Sequence, residues 1–121
     1  MTDEASKERI LYVDDEELNR MVFQRCFRKH FEVIATGSGE EALTVMEAHP
    51  EIRKVVTDYK MPEMNGMEFV EAAQRRFRGK SYYMLSGYEA PEEVREAMAR
   101  GVVERYFQKP LDRQQILSHL L

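Results

Sequence analysis

The sequence predicts a single α/β domain, a parallel sheet of five strands alternating with five helices. Three observations carry this reading. Short apolar runs rich in β-branched and aromatic residues alternate with segments whose apolar residues recur at helical spacing. The connectors have the lengths of right-handed βαβ crossovers. Each apolar run ends abruptly at a polar or charged residue, as buried strands do where they emerge from a sheet. At 121 residues the chain suits one domain, and a domain of this size buries roughly two-thirds of its unfolded surface. No linker, low-complexity tract or internal repeat interrupts it, so residues 1–121 read as one unit.

Taken in order, Ile10-Leu11-Tyr12-Val13 is a continuous apolar run, the pattern of a strand covered on both faces. Asp14-Asp15-Glu16-Glu17 follows at once. Leu18, Met21, Val22 and Cys26 then recur at helical spacing, with Phe23 and Phe27 widening the stripe. Arg28-Lys29-His30 closes this helix with cations suited to the negative end of its dipole. Phe31 to Thr36 alternates more clearly, as an edge strand would. Ser38-Gly39-Glu40-Glu41 matches a capping box and opens a second helix with Ala42, Leu43 and Met46 inward, closing near Pro50.

Val55-Val56-Thr57 is the third strand. It stops at Asp58, followed by the loop Tyr59-Lys60-Met61-Pro62-Glu63-Met64. Asn65-Gly66-Met67-Glu68 resembles a further cap and leads a helix burying Phe69, Val70 and Ala73; Gly79 stops it. Ser81 to Leu85 forms the fourth strand, ending at Ser86-Gly87. Pro91 suits the first turn of a helix carrying Val94, Ala97 and Met98, stopped by Gly101. Val103 to Gln108 reads as the fifth strand, ending at Lys109-Pro110. Asp112 caps a last helix with Ile116, Leu117, Leu120 and Leu121. The chain stops inside that apolar periodicity, the expectation for a domain cut from, or normally joined to, something longer.

Composition narrows the function. The formal net charge of −4 provides no bulk attraction to nucleic acid or an acidic membrane. No apolar run approaches the ~18 residues of a membrane span, and Met1 to Ser6 lack the apolar core of a signal peptide. The lone Cys26 excludes an internal disulfide framework and a cysteine-based zinc cluster, so a reduced, cytoplasmic setting is expected.

The chemistry appears when the carboxyl ends of the strands are read together, where open α/β sheets bind ligands. The first strand offers Asp14 and Asp15, the third Asp58, the fourth Ser86 and the fifth Lys109. Singly each has a plain explanation: Asp14-Asp15 as a helix cap, Asp58 and Ser86-Gly87 as turn residues, Lys109 as an exposed loop lysine, Tyr106 as a half-buried aromatic. Together they meet the demands of one reaction. Two unit charges ~4 Å apart repel by about 4 kcal/mol at an effective dielectric near 20, so converging carboxylates want a cation. Mg²⁺ suits them, since it binds through one or two carboxylates and keeps waters and room for phosphate oxygens. A supported carboxylate is a nucleophile toward phosphorus, Lys109 a mobile positive charge, and Ser86 a hydroxyl donor.

These residues resemble the response-regulator receiver domains of two-component signalling over essentially the whole chain. The resemblance rests on Asp14-Asp15, Asp58 with Met61-Pro62 and Gly66, Ser86-Gly87, Tyr106 and Lys109-Pro110. It implies a flavodoxin-like (βα)5 three-layer sandwich with strand order 2-1-3-4-5. It implies Asp58 as phosphoacceptor, and Mg²⁺ held by Asp14, Asp15, Asp58 and the Lys60 carbonyl. Ser86 and Lys109 would bind the phosphoryl group, and Ser86 and Tyr106 would form a switch that changes the face of the fourth helix, fifth strand and fifth helix. The implied donor is a phosphohistidine on a sensor histidine kinase or phosphotransfer protein. The implied target is a fused or separate output domain, with a homodimer as a further activated form. Lys60 and Tyr88 flank the site and are large enough to restrict attacking water, so slow self-dephosphorylation is expected. Ser86 stands where threonine is commoner, and Gly101 lies one residue farther from Lys109 than the family pattern places it. That longer loop, with Ser86-Gly87-Tyr88, resembles receivers joined to HD-type phosphodiesterases or built into sensor kinases.

Other readings fall short. Gly37-Ser38-Gly39 follows the second strand and lacks the rest of a dinucleotide fingerprint. Neither a Walker A motif nor a Gly-x-Ser-x-Gly elbow occurs. His30, His49 and His119 are scattered, and Arg75 to Lys80 reads as a solvated helix end. The remaining alternative is a docking module that keeps the fold without being phosphorylated.

Overall fold

The computed structural model describes residues 7–121, so the polar lead-in lies outside the described residues. Ten elements alternate: β1 (Glu8–Val13), α1 (Glu17–Phe27), β2 (Phe31–Thr36), α2 (Gly39–Ala48), β3 (Lys54–Thr57), α3 (Gly66–Arg76), β4 (Ser81–Ser86), α4 (Glu92–Ala99), β5 (Arg105–Gln108) and α5 (Arg113–Leu120). All pairings are parallel, in the order β2-β1-β3-β4-β5. This is the flavodoxin-like arrangement expected, with the order reversing at β1 and β3.

Side chains alternate across the sheet and build two cores. Leu11, Val13, Val55, Tyr82 and Met84 meet Met46, Phe69, Val94 and Ala97 from α2, α3 and α4. On the other face Ile10, Tyr12, Val56, Leu85 and Phe107 meet Phe23 and Phe27 of α1 and Ile116 and Leu120 of α5. The central strands are therefore covered on both faces, which is why β1 reads as an unbroken apolar run. Met61, Met64 and Met67 pack against the first core.

The caps agree in part with the sequence. Asn65 and Glu68 form a reciprocal capping box on α3, and the Asp112 carboxylate accepts from Gln115 N. Ser38 accepts from Glu41 N, yet the Glu41 carboxylate turns to Gly37 N rather than closing the box.

Three expectations need correction. The buried stripe of α1 is Phe23 and Phe27, whereas Leu18, Met21 and Val22 are 68%, 43% and 42% exposed. The reason is aromatic: Phe23 stacks flat on Tyr12 with ring centroids 4.0 Å apart, and Phe27 lies 4.6 Å from Phe23. Large rings four residues apart set the rotation of the helix, and the smaller apolar side chains turn outward. Met98 and Leu121 are likewise exposed. The fifth strand begins at Arg105 rather than Val103: Val102 N and Val103 N donate to the Ala97 carbonyl and close α4, so Val103 is buried as part of a turn.

Candidate functional site

Backbone hydrogen bonds beyond the strands set the site. Asp14 N donates to Thr36 O, Asp58 N to Val13 O and Lys109 N to Ser86 O. Each tie extends the sheet by one rung and brings Asp14, Asp58 and Lys109 to the same edge. The Lys109 ammonium then donates to Asp58 Oδ2 at 3.1 Å and Asp14 Oδ2 at 3.2 Å. Asp14 is fully buried and also accepts from the Tyr12 hydroxyl at 2.7 Å and Glu16 N at 3.0 Å. Asp58 Oδ1 takes the Tyr59 N–H at 2.6 Å. Asp15 is exposed beside them.

Gly66 keeps this edge in place from below. Its N–H donates to Tyr59 O at 2.7 Å, and a Cβ there would lie 2.2 Å from Asp58 O and 3.0 Å from Tyr59 Cα. Helix α3 therefore starts hard against the backbone of the reactive loop. Glu63, the one described non-glycine residue at positive φ, forms the bend that returns the chain to it.

Burial holds the Asp58 carboxyl above the usual carboxylate range; Lys109 opposes that shift and the Asp14 charge adds to it. Burial pulls the Lys109 ammonium down, but Asp14 and Asp58 outweigh it and leave its pKa raised. For Asp58 the linkage has a clear sign. The folded state holds its proton more tightly than the unfolded chain, so stability falls as pH rises through the window above the ordinary aspartate value. At neutral pH the whole cost is in place. Asp58→Asn should therefore raise stability at pH 7, read as a higher melting temperature. The gain should fade as pH drops through the range in which the Asp58 carboxyl takes up its proton. Melting curves of both proteins across that range test this; a gain independent of pH would contradict it.

One carboxylate oxygen from each of Asp14, Asp15 and Asp58 lies within 4.8 Å of the other two. Three acids against one ammonium leave surplus negative charge on hard oxygen donors, a set that fits a hard divalent cation. Beside them opens a cavity of about 460 Å³, walled by Asp15, Asp58, Lys60, Tyr88 and Lys109 among others. The Lys60 ammonium sits 4.4 Å from the centroid of the exposed Tyr88 ring, forming a roof. Ser86 is fully buried, its hydroxyl facing that of Tyr106. The Tyr106 hydroxyl donates outward to the Tyr88 carbonyl, and burial raises its pKa.

The structure thus brings Asp14, Asp15, Asp58 and Lys109 into direct proximity, with Lys60 and Tyr88 on the rim. Sequence reading missed three participants. Tyr12 precedes Asp14 by two residues on a strand, so both side chains share a face, and that spacing was a usable signal. Tyr59, whose hydroxyl donates to Glu93 on α4, and Arg20, which donates to Asp14 O, carried none.

A doubly wound sheet with a lysine-clamped acid cluster at its carboxyl edge is a setting in which a carboxylate can accept a phosphoryl group. The chain belongs to the response regulator receiver domain family, whose model matches residues 10–121. It is 30% identical over 105 residues to the two-component response regulator ORR11 of Oryza sativa subsp. indica, covering 84% of this chain and 71% of that protein. A chemotaxis protein CheY homolog of Campylobacter jejuni is 28% identical over 116 residues, 93% of this chain and 88% of the homolog. Among solved structures, the CheX–CheY–BeF3–Mg²⁺ complex of Borrelia burgdorferi aligns with a TM-score of 0.83 at 27% identity, covering 93% of this chain and 85% of that one. Among the described residues no helix is long and apolar enough to cross a membrane.

Proposed function

We propose that Asp58 is the residue that accepts the phosphoryl group, from a phosphohistidine on a sensor histidine kinase or phosphotransfer protein in the cytoplasm. The observation that carries this is the Lys109 ammonium lodged between Asp58 and buried Asp14, beneath an open cavity. An Asp58 carboxylate oxygen attacks phosphorus, the P–O bond forms as the P–N bond to the histidine breaks, and the histidine leaves with its electron pair. Lys109 follows the charge onto the phosphoryl oxygens, and the Ser86 hydroxyl donates to another. Asp14, Asp15, Asp58 and the Lys60 carbonyl are the groups that would hold Mg²⁺, which when bound neutralises charge on the phosphoryl oxygens.

Once Ser86 is drawn toward the phosphoryl group, Tyr106 can give up the Tyr88 carbonyl and turn inward. This would change the face built from α4, β5 and α5, which passes the signal to a fused or separate output domain or to a second copy. A ligand can shift such an equilibrium only by its differential affinity for the two packings, and a serine lacks the methyl that would press on Tyr106.

Incubation with acetyl phosphate and Mg²⁺ followed by intact mass tests the assignment. One phosphoryl group should appear, stable to acid and labile to base, and be absent in Asp58→Asn. No gain in the wild-type protein would favour a docking module that is never phosphorylated. The Lys60–Tyr88 roof yields a separate expectation. Tyr88→Ala should shorten the phosphoryl lifetime several-fold by admitting water, with the rate of phosphorylation little changed; an unaltered lifetime would remove the roof from the account.

A further inference from the structure

At the opposite end of the sheet from Asp58 lies a cavity of about 600 Å³, between the C-terminal ends of α3 and α4. Its wall contains Arg75, Arg78, Lys80, Phe77, Tyr82 and Val102, and no acidic residue at all. That is unexpected in a chain whose 22 acids outnumber its 18 Lys and Arg. Cations at a helix C-terminus ordinarily serve the helix dipole or an acid partner, and Arg76 does so by pairing with Glu47 at 2.7 Å. Arg75 and Arg78 have no ion-pair partner among the described residues. Lys80 donates to two backbone carbonyls, Pro50 O and Ile52 O, which hold its ammonium without neutralising its charge.

A second, independent observation points to a ligand. Tyr82 is 2% exposed, and its hydroxyl is shielded from solvent with no hydrogen-bond partner among the described residues. Burial pushes its pKa up to about 12, so it keeps its proton and remains a donor. A buried donor without an acceptor is costly, and proteins rarely leave one. Two guanidinium groups without ion-pair partners and a buried phenol beside one concavity match a phosphate, which takes forked donation from arginine. Gly79 and Gly101 have nothing within 4 Å of where a Cβ would stand, leaving space at the mouth, and the volume is that of a small-molecule site.

We propose that this cavity binds a small phosphomonoester, a nucleoside monophosphate or a sugar phosphate, its phosphoryl group held by Arg75 and Arg78. On binding, the side chains over Tyr82 part, and its hydroxyl donates to a phosphoryl oxygen. The apolar flank of Phe77 and Val102 receives the remainder of the ligand. The site shares no wall residue with the Asp58 cavity, so it stands independently of the phosphoacceptor assignment.

Titration of the ¹⁵N-labelled full chain with inorganic phosphate, AMP and adenosine, followed by amide shifts, tests this. Phosphate and AMP should produce saturable shifts at Gly79, Lys80, Gly101 and Val102, with AMP the tighter, and adenosine should be weaker than AMP. The double change Arg75→Gln, Arg78→Gln should weaken AMP at least tenfold. Tyr82→Phe should weaken AMP about fivefold, one hydrogen bond's worth. It should also leave the melting temperature of the free protein equal or higher, because it removes the orphan hydroxyl; that separates ligand loss from misfolding. No saturable shift with phosphate or AMP, shifts confined to the Asp58 cavity, or binding indifferent to these variants would overturn the proposal.

Discussion

Lys109→Ala should reduce phosphorylation by acetyl phosphate about a hundredfold or more, the loss seen when one preorganised donor to a developing negative charge is removed. Among the described residues the ammonium is the one cation paired with the carboxylates of both Asp14 and Asp58, and its side chain is 23% exposed. Without it two carboxylates, one fully buried, face each other unneutralised. Breaking a fully buried pair costs 3–5 kcal/mol; with solvent reaching this lysine, about 2 kcal/mol of lost stability is expected. The stabilising share of Lys109 follows from its raised pKa. It is present through neutral pH and disappears only as pH climbs through the folded-state value, above the ordinary 10.5. A double-mutant cycle makes this sharp. Asp58→Asn combined with Lys109→Ala should restore most of the lost stability while restoring no phosphorylation. If the double variant is no more stable than Lys109→Ala alone, repulsion between the acids is not what the lysine relieves.

Gly66→Ala is expected to be the second severe change, and for a different reason. The φ of Gly66 is not in the left-handed region; the residue is constrained by approach. An added methyl would sit 2.2 Å from the carbonyl oxygen of Asp58 and against the Tyr59 backbone, with no flexible side-chain end to move aside. Either α3 backs away from the sheet or the loop carrying Asp58 shifts. Forcing extra volume into such a contact costs about 3 kcal/mol. Because the displaced atoms belong to Asp58, the proposed phosphoacceptor, phosphorylation should fall with stability. By contrast Gly79→Ala meets open space and is strained only through its positive φ of 78°, so it should cost about 1 kcal/mol and leave phosphorylation intact. Denaturant melts and acetyl phosphate kinetics on the two variants distinguish crowding at the site from backbone preference.

The two predictions separate what this chain declares in its sequence from what it does not. Asp58 and Lys109 were legible because buried strands announce themselves by composition and end abruptly, so the residue after each is placed at a known edge. Gly66 was legible as part of the loop signature, but not its reason, since nothing local reveals that a helix N-terminus touches the Asp58 carbonyl. The Asn65–Glu68 box was readable outright, as both partners lie within one turn. The Ser38 box was only half right, because the Glu41 carboxylate had a second N–H, that of Gly37, within reach.

Sequence alone determined the alternation of strands and helices, the edge at which Asp14, Asp15, Asp58, Ser86 and Lys109 stand, and the surplus of negative charge there. All of these depend on short-range pattern: apolar runs, caps and the polar residue that ends each strand. Only the tertiary structure decided which face of α1 is buried, where β5 begins, that Tyr12 braces Asp14, and that the Tyr82 hydroxyl is left without a partner among the described residues. Those outcomes depend on contacts between residues distant along the chain. Ring stacking, hydrogen-bond partnering and desolvation act at ångström range across elements, so they have no value until the layers have closed.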